Sequence, residues 1–478
     1  MTDDVAAHVC HHLRAAAAIP LLLVLSACTD DQDATGVAST LLDGAEITVS
    51  AIDPDTVTVD TIVTVRLTGT GFTEGAIATW LIDAAATTDV RTVSTTWKSP
   101  SELEAVVAIS PNAPLRDYNV RIRGKKGKQG IAVEKFRIVA KPIPLPEPGG
   151  SSTAVDINES GTIVGNGKDA AGSNVAIRWT PVDTGWTYTI LEGRGDAIAI
   201  NDEGLIVRVT FDEFARSWRS WILFPSGGVV DLGAALVRAI SDDGTVVGLS
   251  FESLSKSSAA VWRRVSTSQW GDPQPLPHQD GYSNIDPVDI NARGDIVGSA
   301  ASAGESFPVI WKYRDDRWQP PERVDHTMPS GARAINDDGA IIGWIRPCIQ
   351  WLPNCYASPA WWPAPGGPRR VLPTLYNSQA SANALNNANQ VVGWAPLHYQ
   401  DVTTPLASFV THAVIWFPGS ELPEDLGAIR PSHVGEALAI NNRGWIVGSM
   451  NDPYRPAEHA TLWKLPAIPT VTSPASRR

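Results

Sequence analysis

The chain has 478 residues, of which 43% are hydrophobic, and its formal net charge at pH 7 is -13. One hydrophobic core rarely serves a chain of this length, so we expect several domains or one domain built from repeats, and the acidic balance without a long basic run argues against nucleic acid as a partner. The 39 Gly, 36 Pro and 18 Trp against 3 Met favour many short strands joined by turns, which predicts an all-β fold class.

The N-terminal segment is predicted to be an export signal. Residues 15–25 read AAAAIPLLLVL, which is too short to span a bilayer but suits the core of a signal peptide. The segment runs into Leu25-Ser26-Ala27-Cys28, which resembles the lipobox at which bacterial lipoprotein precursors are acylated on the Cys and cleaved before it. The resemblance implies a lipoprotein signal peptide at 1–27, lipidation of Cys28, and anchoring on the periplasmic or extracellular side of a bacterial cell envelope, with the outer membrane favoured. A plain secretory signal, or a buried apolar segment in a cytosolic protein, are the alternatives.

Cysteine usage agrees with export. The chain has 4 Cys, of which Cys10 would be removed with the signal and Cys28 would carry lipid. The remaining pair, Cys348 and Cys355, lies in one loop segment and can close a small ring in an oxidising compartment. We expect a disulfide there, with free structural thiols as the alternative. No further ligand lies nearby, so no metal is expected.

A flexible, acidic and Thr-rich tether at 28–44 leads into a segment, 45–140, in which short apolar strands alternate with turns. Strands are expected at 46–52, 62–68, 76–82, 104–109, 119–123 and 133–139. This number of strands in so short a segment predicts a small β-sandwich. Gly69 and Gly71 are expected to take positive φ in a turn that folds Phe72 into the end of the sandwich.

That turn carries a family resemblance. Together with Ile52-Asp53-Pro54, the step SPSELEAVVA at 99–108 and the late strand RDYNVRIRG at 116–124, it resembles the IPT/TIG immunoglobulin-like fold. In exported proteins such modules mostly act as spacers or adhesion units. The resemblance therefore implies a structural stalk.

From 141 to 465 the chain is repetitive. A turn motif recurs at intervals of 40 to 55 residues, at 154–165, 197–208, 237–248, 287–298, 332–343, 383–393 and 437–448. A Trp in an apolar strand follows each copy: Trp179, Trp221, Trp262, Trp311, Trp362, Trp416 and Trp463. Such a period with four short strands per unit predicts a seven-bladed β-propeller in which the Trp side chains pack between blades. Residues 466–478 are expected to form a disordered tail.

Each copy contains an Asn-x-x-Gly element that is predicted to be a tight hairpin turn. The Asn would open the turn by side-chain hydrogen bonding, and the Gly would occupy the left-handed region of φ. The turn residues are Asn158, Gly161, Asn201, Gly204, Ser241, Gly244, Asn291, Gly294, Asn336, Gly339, Asn386, Asn389, Asn441 and Gly444. In this set Ser241 replaces an Asn and Asn389 replaces a Gly, and at the end of the second copy Arg208 replaces the last Gly of the motif.

The repeats also resemble a known family. The pattern Ile-Asn-x-x-Gly-x-Ile-Val-Gly, with the strands His412-Ala413-Val414-Ile415-Trp416 and His459-Ala460-Thr461-Leu462-Trp463, resembles the HAF-repeat family of bacterial extracellular proteins. The resemblance covers about 150–465 and implies an architecture rather than an activity. We expect His412 and His459 to have structural or surface roles and not to be metal ligands.

Catalytic motifs for zinc hydrolysis, serine hydrolysis, phosphate binding and calcium binding are absent from the sequence, and no cofactor is expected. A propeller channel can still hold two carboxylates as acid and base, and Asp156 and Asp289 are the candidates. Both stand two positions before the motif Asn, where the other five copies have Ala, so they should point the same way from equivalent strands. Alternatively, each hydrogen-bonds locally within its blade.

Two functions remain open. The first is a lipid-anchored extracytoplasmic binding or scaffold protein that presents loops to a protein or glycan ligand, with 251–258, 344–359 and 394–411 as the expected contact loops. The second is a propeller enzyme, a lyase or glycosidase, that acts on extracellular polymer. Two or more carboxylates at one mouth of the channel would favour the enzyme, whereas a channel lined by Ala, Ile and backbone would count against it.

The repeat pattern also predicts how the propeller closes. The seventh copy has no convincing fourth strand after Trp463, whereas Ile143-Pro144-Leu145-Pro146 stands before the first copy in the place of a step such as Pro275-Leu276-Pro277. We therefore expect residues 141–146 to form the outermost strand of the last blade. Prolines are tolerated there because an outermost strand has one unpaired edge, and the pairing would leave neither end with an open edge.

Overall fold

The computed structural model describes residues 47–124, 127–253, 256–346, 357–374, 379–399, 408–428, 434–452 and 455–466. All the elements named within these ranges are β-strands, which confirms the all-β class. No helix in the described ranges is long and apolar enough to cross a membrane. Cys28, Cys348 and Cys355 lie outside the described residues, as do the predicted signal and tether and parts of the three predicted contact loops.

The first part of the described chain is a β-sandwich of two sheets, as predicted. One sheet contains Thr48–Asp53, Thr61–Thr70, Glu102–Ile109 and Val90–Ser99. The other contains Thr56–Thr58, Gln129–Val139, Arg116–Arg123, Ile77–Ile82 and Ala85–Ala86. Alternate residues of Glu102–Ile109 are buried, as expected of a strand with one face on a core. The sequence did not predict Val90–Ser99, because it is polar and mostly exposed.

The turn that carried the IPT/TIG resemblance has one of its two glycines in the predicted conformation. Gly71 has a φ of 75° and Phe72 is buried in the sandwich core. Gly69 was wrongly expected to have positive φ. It lies in a strand, and a Cβ at this position would stand 1.9 Å from the Thr48 carbonyl oxygen, so close approach of the backbone requires the glycine.

The rest of the described chain forms seven blades, each an antiparallel set of four strands. Blade 1 contains Ser152–Ile157, Ile163–Lys168, Asn174–Val182 and Gly185–Ile190, and blade 2 contains Asp196–Ile200, Ile206–Asp212, Ser217–Leu223 and the start of Val229–Ile240. Blade 3 contains the end of Val229–Ile240, Val246–Ser253, Lys256–Trp262 and Gln274–Pro275. Blade 4 contains Ser283–Ile290, Ile296–Ser302, Glu305–Trp311 and Glu322–Arg323. Two extra hairpins are Arg264–Ser266 with Gln269–Trp270, and Tyr313–Arg314 with Arg317–Trp318.

Blades 5 to 7 repeat the pattern, and like blades 3 and 4 they have outer strands of two residues. Blade 5 contains Ser330–Ile335, Ile341–Ile345, Ser358–Trp362 and Arg370–Val371. Blade 6 contains Ser381–Leu385, Val391–Tyr399, Ser408–Trp416 and Glu424–Asp425. Blade 7 contains Val434–Ile440, Trp445–Asp452, Arg455–Lys464 and Ile143–Pro144. The sandwich continues into this end of the propeller, because Ile138 and Ala140 share a buried cluster with Leu426 and Trp463.

Six of the seven predicted repeat tryptophans are buried at an interface with the preceding blade. Trp311, for example, packs with Val247 and Val261 of blade 3 and pairs with Ile296 of its own blade. Its indole N–H donates to the Pro277 carbonyl at 3.0 Å, just after the outer strand of blade 3. The indole N–H has such a partner in five of the six tryptophans, while Trp262 Nε1 has none among the described residues. A large buried ring with a satisfied N–H fixes both the spacing and the register of neighbouring blades.

Trp221 was wrongly assigned as the repeat tryptophan of blade 2. The position opposite Ile206, which Trp occupies in the other blades, is held by Leu223, whereas Trp221 lies opposite Arg208. Trp221 and Leu223 are two positions apart and therefore share one face of the strand. Blade 2 consequently has the smaller Leu223 at the position where the other blades have the buried Trp. Its own Trp221 is half-buried, two residues earlier on the same strand.

The predicted closure of the propeller is confirmed. Ile143 and Pro144 pair antiparallel with Leu462 and Thr461 of blade 7. The Leu145 N–H then donates to the Ala460 carbonyl at 2.8 Å, and the Leu145 side chain is buried in a cluster with Leu462. The sequence also placed Leu145 beside Trp463, but Leu145 shares its buried cluster with Leu462 instead. Leu462 and Trp463 are neighbours on one strand and therefore point to opposite faces. One sheet therefore joins the start and the end of the propeller.

Candidate functional site

The seven motif turns meet at one mouth of the central channel. Each of the six motif Asn residues is buried, and its side-chain oxygen accepts the backbone N–H four residues on, at 2.9 Å for Thr162 on Asn158 and 3.0 Å for Asp295 on Asn291. Six turn glycines have φ between 73° and 86°, and Asn389 has 57°. The predicted left-handed residue is therefore found in all seven copies, and the predicted Asn side-chain bond in the six copies that have the Asn.

The motif Asn residues also join the blades, which the sequence did not predict. Each Asn Nδ2 donates to the backbone carbonyl of the motif residue in the next blade. The pairs are Asn158 to Asn201 at 3.0 Å, Asn201 to Ser241 at 3.0 Å, Asn291 to Asn336 at 3.0 Å, Asn336 to Asn386 at 3.1 Å, Asn386 to Asn441 at 3.2 Å and Asn441 to Asn158 at 3.0 Å. We call this set the Asn ring. Its last bond joins blade 7 to blade 1, so it reinforces the closure.

A second ring lies beside the first and lines the mouth. It consists of the residues that follow the motif position: Glu159, Asp202, Asp242, Ala292, Asp337, Asn387 and Asn442. Six backbone N–H groups of this ring donate to the side-chain oxygen of the next member, at 2.7 to 3.0 Å. Four members carry carboxylates around a cavity of about 240 Å³. Burial raises the pKa of Asp242, and the nearby carboxylates raise it further.

Both rings are interrupted at the seam between blades 3 and 4. Among the described residues, Ser241 donates to Asp243 and to the Thr245 carbonyl and not to blade 4, and Ala292 has no side-chain oxygen for the Asp242 N–H. A cavity of about 350 Å³ opens there. The two rings therefore contribute no bond at this seam, although Arg238 pairs with Asp286 and Arg263 donates to the Tyr313 hydroxyl across it.

Substituting Ser241→Asn is expected to restore the missing member of the Asn ring. The new Nδ2 would reach the Asn291 carbonyl as in the other blades, and one intramolecular hydrogen bond contributes about 1 kcal/mol. We expect thermal unfolding to shift upward by a few degrees, on the order of 2–4 °C. Scanning calorimetry of the variant and of Ser226→Asn, an exposed turn position outside the ring, is the comparison. An equal shift in both variants, or a fall for Ser241→Asn, would show that the ring does not brace the blades.

Asp156 and Asp289 stand in equivalent positions of blades 1 and 4, as predicted. One oxygen of Asp156 accepts the Ile157 N–H and the other accepts the Ile200 N–H of blade 2, both at 2.8 Å. Asp289 makes the same pair of bonds, to Ile290 and to Ile335 of blade 5, both at 2.9 Å. The sequence predicted, as the alternative to catalysis, that each carboxyl bonds only within its own blade. One of its two bonds does so, and the other joins it to the next blade.

Burial raises the pKa of both carboxyls to about 7, although the backbone N–H donors lower it in part. The charge of Asp156 also raises the pKa of Asp289. A carboxyl with such a pKa can exchange a proton at neutral pH. Both oxygens, however, are already engaged by backbone donors, which limits what a substrate could reach.

The two histidines of the repeat strands each contact one carboxylate. His412 Nδ1 lies 3.0 Å from Asp425, in the outer strand of its blade, and His459 Nδ1 lies 3.0 Å from Glu147, which follows the closing strand. In blades 6 and 7 these pairs therefore connect the third strand of the blade to its outer strand or to the residues that follow the outer strand. No group of three or more His, Cys, Asp or Glu that could hold a metal ion occurs in the part of the chain that the structure describes.

No family model and no curated protein matches the chain. Among solved structures, the chain is similar to the β-propeller domain of the Trilobed protease from Pyrococcus furiosus, which is described as having an open velcro topology. The identity is 11%, with 66% of this chain and 93% of that chain covered and a TM-score of 0.44. A titin fragment, A168169, is 16% identical over 45% of this chain and 93% of its own, with a TM-score of 0.15.

Proposed function

We propose that this chain is a binding or scaffold lipoprotein of a bacterial cell envelope, in which the sandwich acts as a stalk and the propeller presents ligand-binding surface. The bonding of Asp156 and Asp289 carries this proposal. Both oxygens of each carboxyl are occupied by backbone N–H groups of two adjoining blades, so these groups brace the channel wall. The mouth cavity beside them is lined by Ile, Leu, Asn and Ser241 together with the four carboxylates, and the described residues include no group of three or more His, Cys, Asp or Glu that could hold a metal ion.

The anchoring part of the proposal is supported by the lipobox at Cys28 and by the repeat and sandwich patterns, which resemble the HAF-repeat and IPT/TIG families of exported proteins. A single lipid chain gives only weak, reversible binding to a membrane, so a stable anchor requires a second membrane-binding signal.

Cells that express the full chain and are grown with labelled palmitate are expected to incorporate the label into this protein. The label should be absent from Cys28→Ser, because only a thiol at the lipobox serves as the thioether acceptor. Substituting Cys10→Ser provides the matched control, since that residue lies before the cleavage site. Equal labelling of wild type and Cys28→Ser would refute the anchor.

A polymer-cleaving enzyme is the second candidate, and two observations favour it. The carboxyls of Asp156 and Asp289 have pKa values of about 7, and four carboxylates surround one mouth of the channel. Release of new chain ends from an extracellular polysaccharide by the wild type, and its loss in the double variant Asp156→Ala with Asp289→Ala, would establish this alternative. Retention of a polymer without new chain ends supports the binding protein.

A further inference from the structure

Blade 2 differs from the other six at the point where Arg208 replaces the last Gly of the motif. At the six glycines, an added Cβ would stand 1.8 to 2.4 Å from a carbonyl oxygen of the neighbouring strand. Real Cβ atoms do not approach so closely, so an arginine requires the neighbouring backbone to shift. Trp221 lies opposite Arg208, where blade 1 has Ile177. Arg208 and Trp221 therefore face each other across two paired strands, and this Arg–Trp pair distinguishes blade 2 from the other six blades.

The Arg208 guanidinium is held in place but carries no counter-ion. The residue is 6% exposed, Nη1 donates to the Glu192 carbonyl, and the group lies 5.0 Å from the centre of the Trp221 ring. Gly193 packs directly on it, since a Cβ there would stand 2.3 Å from Nη1. Among the described residues no carboxylate pairs with Arg208, and its buried Nε has no hydrogen-bond partner. Burial accordingly lowers its pKa.

Arg208 lines a cavity of about 610 Å³ at the hairpin between Ile206–Asp212 and Ser217–Leu223, the two middle strands of blade 2. Trp221, Arg194 and Arg219 also line it, together with Phe211 and Phe214, whose side chains are 47% and 103% exposed. A buried cation without a partner is costly, and a carboxylate is the group that matches the planar fork of an arginine. The cavity thus combines an unsatisfied cation with apolar ring surface.

We propose that this cavity binds a saccharide with one carboxylate per residue, a hexuronate, whose carboxylate pairs with Arg208. The inference names a ligand class for the proposed binding protein and so rests on that proposed function. The charges favour a ligand whose carboxylates are spaced one per sugar over a ligand of dense charge, because Arg219 is already paired with Asp231, and Asp212 and Glu213 oppose Arg194 and Arg208. These two carboxylates would repel a polyphosphate but can accept hydrogen bonds from sugar hydroxyls. The exposed Phe rings offer apolar surface to a pyranose.

Isothermal titration of the full chain in detergent with trigalacturonate, with neutral galactotriose and with inorganic phosphate tests the site. We expect trigalacturonate to bind, and galactotriose and phosphate to bind at least about tenfold more weakly, because a charge-assisted hydrogen bond contributes about 1.5–3 kcal/mol and each 1.4 kcal/mol is tenfold. Equal binding of galactotriose or of phosphate, or no binding of trigalacturonate, would overturn the proposal.

Three variants locate the site. Arg208→Gly restores the residue of the other six blades, so the fold should persist while affinity falls about ten- to hundredfold. Arg208→Lys keeps the charge but loses the fork, and should also weaken binding. Arg443→Ala, whose guanidinium lies 4.0 Å from the Trp445 ring and outside the cavity, is the control and should bind as the wild type does. Unchanged binding by Arg208→Gly would overturn the site.

The same titrations separate this inference from the proposed function. Binding followed by cleavage of trigalacturonate would support the site but overturn the non-catalytic role. Absence of binding, with Cys28-dependent lipidation intact, would overturn the hexuronate site and leave the anchor in place.

Discussion

Replacing Ile143-Pro144-Leu145-Pro146 by Gly-Ser-Gly-Ser is expected to destabilise the whole propeller, although the segment resembles a linker. The replacement keeps the length of the connection to the sandwich but removes the buried Leu145 side chain. Without that side chain, the backbone hydrogen bond from residue 145 to the Ala460 carbonyl is no longer held in place by packing. Removal of a buried leucine side chain costs about 2–5 kcal/mol. Calorimetry should therefore show a fall in the melting temperature on the order of 5–10 °C.

Leu422→Gly is a suitable control for this replacement, because Leu422 is 53% exposed and its removal should change stability little. An equal fall in both variants would mean that loss of any leucine has this effect. An unchanged melting temperature for the replaced segment would contradict a role in closure.

The double variant Asp156→Ala with Asp289→Ala is expected to gain stability relative to wild type as the pH rises from 5 to 8. The folded pKa of each carboxyl is raised to about 7 from an ordinary value of 3.8, so the folded protein retains protons that the unfolded chain has released. The stability that these groups contribute is complete below the unfolded pKa and is lost as the pH rises through the folded pKa. Between pH 5 and 8 the loss is on the order of 2–3 kcal/mol for each carboxyl.

Urea unfolding at several pH values measures this difference. Five blades have Ala at the equivalent position, so the double variant is compatible with the fold. The variant Asp183→Ala with Asp280→Ala changes the net charge equally at exposed sites and should follow the wild-type profile. Parallel profiles for wild type and the Asp156/Asp289 variant would show that these carboxyls titrate normally in the folded state.

The sequence predicted the parts of the fold that each repeat specifies by itself. The turn needs a left-handed residue at one position, so Gly161 and its equivalents are visible in every copy. The strand Ser217–Leu223 was harder to interpret, because Trp221 and Leu223 lie on the same face and a side-chain period of two cannot say which one meets the preceding blade. Val90–Ser99 was not predicted because it has no apolar alternation.

The site was predicted less completely because its bonds join different blades. Asn158 and Asn201 are 43 positions apart, and the pattern within one copy indicates only the local turn. One signal for these bonds was available in the sequence. The residue after the motif position is Asp, Glu or Asn in every copy except at Ala292, and a turn exposed to solvent would not require this regularity. The equivalence of Asp156 and Asp289 followed from the repeat, whereas their bonds to Ile200 and Ile335 did not.

A disulfide cross-link tests the closure most directly. Ile143 and Leu462 are paired across adjacent antiparallel strands, where Cα atoms lie within reach of a disulfide, whereas Val447 is one strand further in. The variant Ile143→Cys with Leu462→Cys is expected to form the cross-link on mild oxidation, as identified by peptide mass spectrometry, and Ile143→Cys with Val447→Cys is not. Failure of the first pair to cross-link, or equal cross-linking of both pairs, would contradict a propeller closed by the strand that precedes its first repeat.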